Sequence, residues 1–198
     1  MVQIAITLSI LSSLITGGQA FLSTGSFRSV KWAITSSPYD DADFSSSSSL
    51  TSIFNLAIMM QRAGSYDEAS QQYEIFLDSA AQVGAPAESL AEVHCNLGQI
   101  RARKGDRTGA QQAFEEALRY RSLPTAHVNL ALLSLAEGES LGPSGEKTVS
   151  VTALEGAKRH CELALVSKDG KDEQTIVTAT KILRDVSLAL RSNVKSEI

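Results

Sequence analysis

Apolar positions along this chain recur at helical spacing in short blocks, each closed by a glycine-centred break. The cleanest block is Ala91–Leu118. Val93, Leu97, Gly98 and Ile100 fall on one face of a first predicted helix. Gly105-Asp106 then interrupts the pattern: glycine closes a helix in the left-handed conformation, and Asp106 or Thr108 can cap the next one. Ala110, Ala113, Phe114, Ala117 and Leu118 make a second stripe. The small residues Gly98, Ala110 and Ala117 let two backbones approach, while Leu97 and Phe114 fill the space between them. One hairpin of this size cannot bury its own apolar face, so the block requires stacked neighbours.

The chain repeats the pattern. Asn55-Leu56-Ala57, Asn96-Leu97-Gly98 and Asn129-Leu130-Ala131 are versions of one tripeptide, and each Leu is followed eight residues later by Gly64, Gly105 or Gly138. Ala69 and Ala110 follow at a common interval, with Tyr73 and Phe114 a helical turn further on. These residues resemble those of a tetratricopeptide repeat. The resemblance implies an all-α, three-hairpin solenoid with units at 50–83, 91–123 and 124–167. Phe76 stands where the family has a small residue, and Gly84 and Pro86 mark an insertion that stretches the first interval to 41 residues. In the third unit Thr125 is expected to cap the first helix after Pro124. The second-helix pattern of Ala157, Cys161 and Ala164 is displaced by an insertion at about 140–153, expected to be a mobile surface loop. Residues 172–192, with Ile176, Ala179, Leu183, Val186 and Leu190 on one face, read as the helix that caps the array.

The same resemblance implies a role in protein binding. In the family, first helices line a concave groove, and the Asn before the Leu-Gly pair commonly bonds an extended peptide. Asn55, Asn96 and Asn129 occupy that place, with Arg62, Gln99 and Arg103 at further groove positions. A side-chain amide both donates and accepts, so such residues can hold a peptide backbone whatever its sequence; equally, they can tie one repeat to the next. Members that clamp the C-terminal carboxylate of heat-shock chaperones need cations where this chain has Phe54, Thr125 and Asn129 and an Asn where it has Ile58; only Asn96 agrees, and that specialisation is excluded. Phe54 and Ile58, with Val128 and Leu132, instead imply an apolar groove floor suited to a helix or hydrophobic peptide.

The N-terminal 49 residues have a different composition. Residues 1–20 contain the short apolar run Ile4–Ile15 and end in small residues, as a signal peptide does. Residues 21–39 are Ser-rich and carry Arg28 and Lys31 with no acid, the composition of an organelle transit peptide. The Ala20-Phe21 junction between them resembles that of the bipartite presequence of algae with secondary plastids. It implies delivery to a plastid (chloroplast) stroma, with secretion or the ER lumen as the alternative. Residues 40–49 are acidic and Ser-rich and are expected to be a disordered linker.

Charge and chemistry narrow the function further. The chain has a net charge of −4, and removing residues 1–39 takes it to −6, which does not support a nucleic-acid partner. Cys95 and Cys161 fall one to a hairpin inside helical patterns and are expected to be reduced core thiols. Gly145-Glu146-Lys147-Thr148 lacks the Gly-Lys step of a phosphate-binding loop. His94 and His127 share a place in the repeat, whereas the interval to His160 reads as an accident of the insertion. No cofactor, metal or catalytic set is expected. The reading is a non-enzymatic module for a protein or peptide partner, whose mature chain does not span a membrane. A structural repeat protein of the secretory lumen and a small metal-dependent helical enzyme are the rivals. The oligomeric state is left open.

Overall fold

A computed structural model describes residues 41–141, 147–167 and 172–195. The signal-peptide and transit-peptide readings of residues 1–39 lie outside these, as do residues 142–146 of the insertion. Among the described residues the chain order is α1 (Asp41–Ala63), α2 (Tyr66–Val83), α3 (Ala87–Arg103), α4 (Arg107–Tyr120), α5 (Pro124–Gly138), β1 (Glu139–Leu141), β2 (Lys147–Val149), α6 (Val151–Val166) and α7 (Glu173–Lys195). Helices pair as α1–α2, α3–α4 and α5–α6, and α7 packs on α6 and α5. The fold is an all-α solenoid of three hairpins closed by one helix.

The local chemistry explains the breaks. Gly64 and Gly105, equivalent in the repeat, adopt φ of 85° and 84°, a region that costs other residues a clash between Cβ and the carbonyl. Asp106 then caps α4, its carboxylate accepting the Gly109 N–H at 2.9 Å. Asp172 does the same for α7, accepting the Thr175 N–H at 2.7 Å. Pro124 is itself the first residue of α5, where its missing N–H leaves no bond unmade. Thr125 therefore lies inside the helix and is not the expected cap; its hydroxyl is buried 3.4 Å from that of Thr175 on α7.

Three apolar clusters run along the array. Leu50, Ala57, Tyr73 and Phe76 of the first hairpin enclose Val93, Leu97 and Ile100 of α3. Ala91, Cys95, Phe114 and Ala117 enclose Leu130 and Leu133 of α5. Val128, Leu132 and Leu135 pack with Leu154, Cys161, Ile182 and Val186 of α6 and α7. Helix α5 thus gives apolar side chains to neighbours on both flanks, which accounts for its nearly uninterrupted burial.

Two expectations are corrected. The stretch 40–49, read as a disordered linker, is helical from Asp41 onward. Its serines and acids carry no apolar period, but they continue a helix already anchored by Leu50 and Ala57, and propagation is easier than nucleation. The insertion at 140–153 is not simply a loop. Glu139–Leu141 and Lys147–Val149 form an antiparallel pair, and α6 begins at Val151, capped by the Ser150 hydroxyl. The β-branched Thr148 and Val149 suit a paired strand, and the Thr148 and Ser140 hydroxyls bond across it at 2.8 Å.

Candidate functional site

Each first helix of a hairpin presents a strip with 4-3-4 spacing: Thr51, Asn55, Ile58 and Arg62 on α1; Glu92, Asn96, Gln99 and Arg103 on α3; Thr125, Asn129, Leu132 and Ala136 on α5. The strips are equivalent in sequence but not in exposure. On α1, Asn55 and Arg62 are exposed and Thr51 and Ile58 half-buried. On α3, Glu92 and Arg103 remain half-buried, while Asn96 and Gln99 are 1% exposed. On α5, Asn129 is fully buried, and Thr125 and Leu132 are closed off beside α7. The face therefore opens toward the first hairpin and closes toward the third.

The three asparagines read as candidates for holding a peptide therefore do not share one open face. Only Asn55 presents its amide to solvent. Asn96 belongs to a buried polar network that joins three helices. The Tyr73 hydroxyl of α2 donates to Gln61 Oε1 of α1 at 2.8 Å and takes a hydrogen bond from Asn96 of α3. Gln61 Nε2 donates to Gln99 Oε1 at 3.2 Å, and Gln99 Nε2 reaches Cys95 Sγ at 3.8 Å. Buried amides and hydroxyls must find partners, and here they find one another. Gln99 is likewise interior. Arg103 lies over the Tyr66 ring with its guanidinium carbon 5.8 Å from the centroid. Phe54, expected on the groove floor, instead packs with Tyr73 and Phe76 at ring separations of 6.2 and 5.9 Å. Ile58 too is half-buried against the first-hairpin core.

Glu92 joins the strip without having been a sequence candidate, although its spacing from Asn96, Gln99 and Arg103 places it on the same face. Burial first, then the charge of Glu88, lifts its carboxyl from 4.5 to about 7, against an opposing pull from Arg121, which itself pairs with Glu88. The folded chain holds this proton up to about pH 7 while the unfolded chain releases it near 4.5, so its contribution to stability is full below 4.5 and lost as pH rises through 7. His127 works in the opposite direction. Burial, and secondarily His160, lowers it from 6.5 to about 4, so its contribution is full above 6.5 and lost as pH falls toward 4. The two partly cancel in wild-type melting curves. Glu92→Gln removes one of them: its melting temperature is expected to exceed that of wild type at pH 8, with the gap closing by pH 4.5. A gap that does not change with pH would refute the buried carboxylate.

Two of the histidines meet. His127 Nδ1 of α5 and His160 Nδ1 of α6 lie 3.4 Å apart, so the interval that reads in sequence as an accident of the insertion joins the two helices of one hairpin. His94 is elsewhere, stacked on Tyr120 at 5.6 Å. Among the described residues no group of three or more His, Cys, Asp or Glu side chains could hold a metal ion. Cys95 and Cys161 are free and buried, and burial pushes each thiol up to about 12, so neither is poised as a nucleophile. No described helix is long and apolar enough to cross a membrane.

Residues 48–122, which span the first two hairpins, match the family model described as Tetratricopeptide repeat. No curated protein matches the chain.

Proposed function

From its membership of the tetratricopeptide repeat family, carried by residues 48–122, we propose that this protein is a non-enzymatic adaptor or assembly factor of a plastid that grips a partner protein on the open end of its first-helix face. The repeats make the chain a protein–protein interaction module. The observation that carries the finer reading is the strip on α1 of exposed Asn55 and Arg62 with half-buried Ile58 between them, flanked by half-buried Glu92 and Arg103 on α3. It combines an amide able to hold peptide backbone, an apolar patch and charges of both signs. Glu92 and Arg103 are eleven residues apart, about 16 Å along the helix, so above about pH 7, where the Glu92 carboxyl ionises, the strip is acidic at one end and basic at the other and would orient a bound segment. Asn96, Gln99 and Asn129 support this face from inside. No nucleic-acid partner is part of the reading, since the charge is net acidic.

The test uses the chain as bait in its own organelle extract. The double variant Asn55→Ala, Arg62→Glu is expected to lose the specific partners while keeping a wild-type melting temperature. Arg119→Glu, a change at a 78%-exposed side chain of α4, is expected to keep them. Equal recovery by both baits would remove the groove from the account. The plastid assignment rests on residues 1–39 alone, and a fluorescent fusion of that segment tests it separately: accumulation in the ER or the medium would replace it with the luminal alternative.

A further inference from the structure

We propose that copies of this chain stack head to tail, the outer face of the first hairpin of one copy receiving the outer face of α7 of the next. The starting point is the internal repeat. Leu56, Leu97 and Leu130 hold the same place in their units, yet Leu97 and Leu130 are 3% and 4% exposed whereas Leu56 is 41% exposed. The difference has one cause. Leu97 packs into the first-hairpin cluster and Leu130 into the second-hairpin cluster, each covered by the hairpin before it, and α1 has no such hairpin among the described residues. Met59, one turn along the same face, is 66% exposed, and Ile75 on the paired helix α2 is 45% exposed. The array thus begins with an apolar surface of the kind that its own units cover with packed helices.

The other end offers a matching element. A terminal helix that only capped the solenoid would turn a polar side outward. Helix α7 instead exposes Val177 and Leu188, 56% and 57% accessible and eleven residues apart, hence three turns along one stripe, with Arg184 and Arg191 beside them. Charge favours the same pairing. Residues 41–83 carry six acidic side chains against Arg62 alone, while residues 173–195 carry four basic against two acidic. Unlike ends attract and like ends repel, so the contact is heterologous and generates rings or open rows, not a two-fold dimer.

The experiment is analytical ultracentrifugation of the full chain with two variants, each blocking one end at an exposed position and each checked by circular dichroism. Wild type is expected to show a mass that rises with concentration and falls with added salt. Met59→Glu blocks the first-hairpin face and Leu188→Glu the α7 face; each alone is expected to remain monomeric. Their equimolar mixture is expected to form one dimer and nothing larger, because each supplies the end that the other lacks. Arg184→Glu, a milder change, is expected to weaken wild-type assembly. A wild-type chain that stays monomeric at its highest soluble concentration, as it would if residues 1–40 covered the face, overturns the proposal. So does assembly by either variant alone, or a mixture that yields no dimer.

Discussion

Phe114→Ala is expected to cost about 3–5 kcal/mol of unfolding free energy, the range for removing a fully buried aromatic ring. Phe114 is 0% exposed at the centre of the second cluster, between α3, α4 and the incoming α5. Its ring lies so close to α3 that a Cβ added at Gly98 would meet ring carbons at 2.6 and 2.7 Å. Glycine at this place is therefore the condition for the ring to lie there, and the two residues form one packing unit. The coupling gives a sharper reading than the single loss. Gly98→Ala should destabilise wild type, since backbone or ring must shift. In the Phe114→Ala background the clash is gone, and the same change should be neutral or stabilising by up to about 1 kcal/mol from helix propensity. Urea melts of the four proteins measure this cycle; additive effects would show that the ring and the glycine are independent.

Asn96→Ala is expected to destabilise the fold by about 1–3 kcal/mol, the cost of leaving a buried polar partner short of a bond. The Tyr73 hydroxyl loses its donor from α3, and the link between the first and second hairpins loses a strand of its network. Had Asn96 served a ligand only, the substitution would leave stability unchanged and weaken partner capture. Chemical denaturation separates the two readings directly. The companion change Tyr73→Phe should be less costly when combined with Asn96→Ala than the sum of the singles, because both delete the same bond.

The architecture is legible in the sequence because the repeat writes it three times. Leu-Gly spacing, the Gly64 and Gly105 turns and the Phe114 stripe each arise from local geometry that a pattern can record. The features that escape a sequence reading are set by the ends and by long-range context. Asn55, Asn96 and Asn129 are the same residue at the same position, yet exposure differs because α1 has no hairpin before it among the described residues and α5 has α7 beside it. No pattern in the tripeptide itself encodes that asymmetry. The His127–His160 contact is hidden because the 14-residue insertion lengthens the sequence interval without moving α6 off α5. The helical stretch before Leu50 is hidden because its serines carry no period and are held in register by the anchored turns from Leu50 onward.

The central claim is that a partner protein lies along α1, at the open end of the first-helix face. A photo-crosslinking amino acid placed at Asn55, irradiated in the intact organelle, measures this most directly, with the same probe at Arg119 on α4 as its counterpart. The expected result is a discrete adduct of higher mass from position 55 and none from position 119. An adduct from position 119 alone would contradict the account and move the binding surface to the outer face of the solenoid.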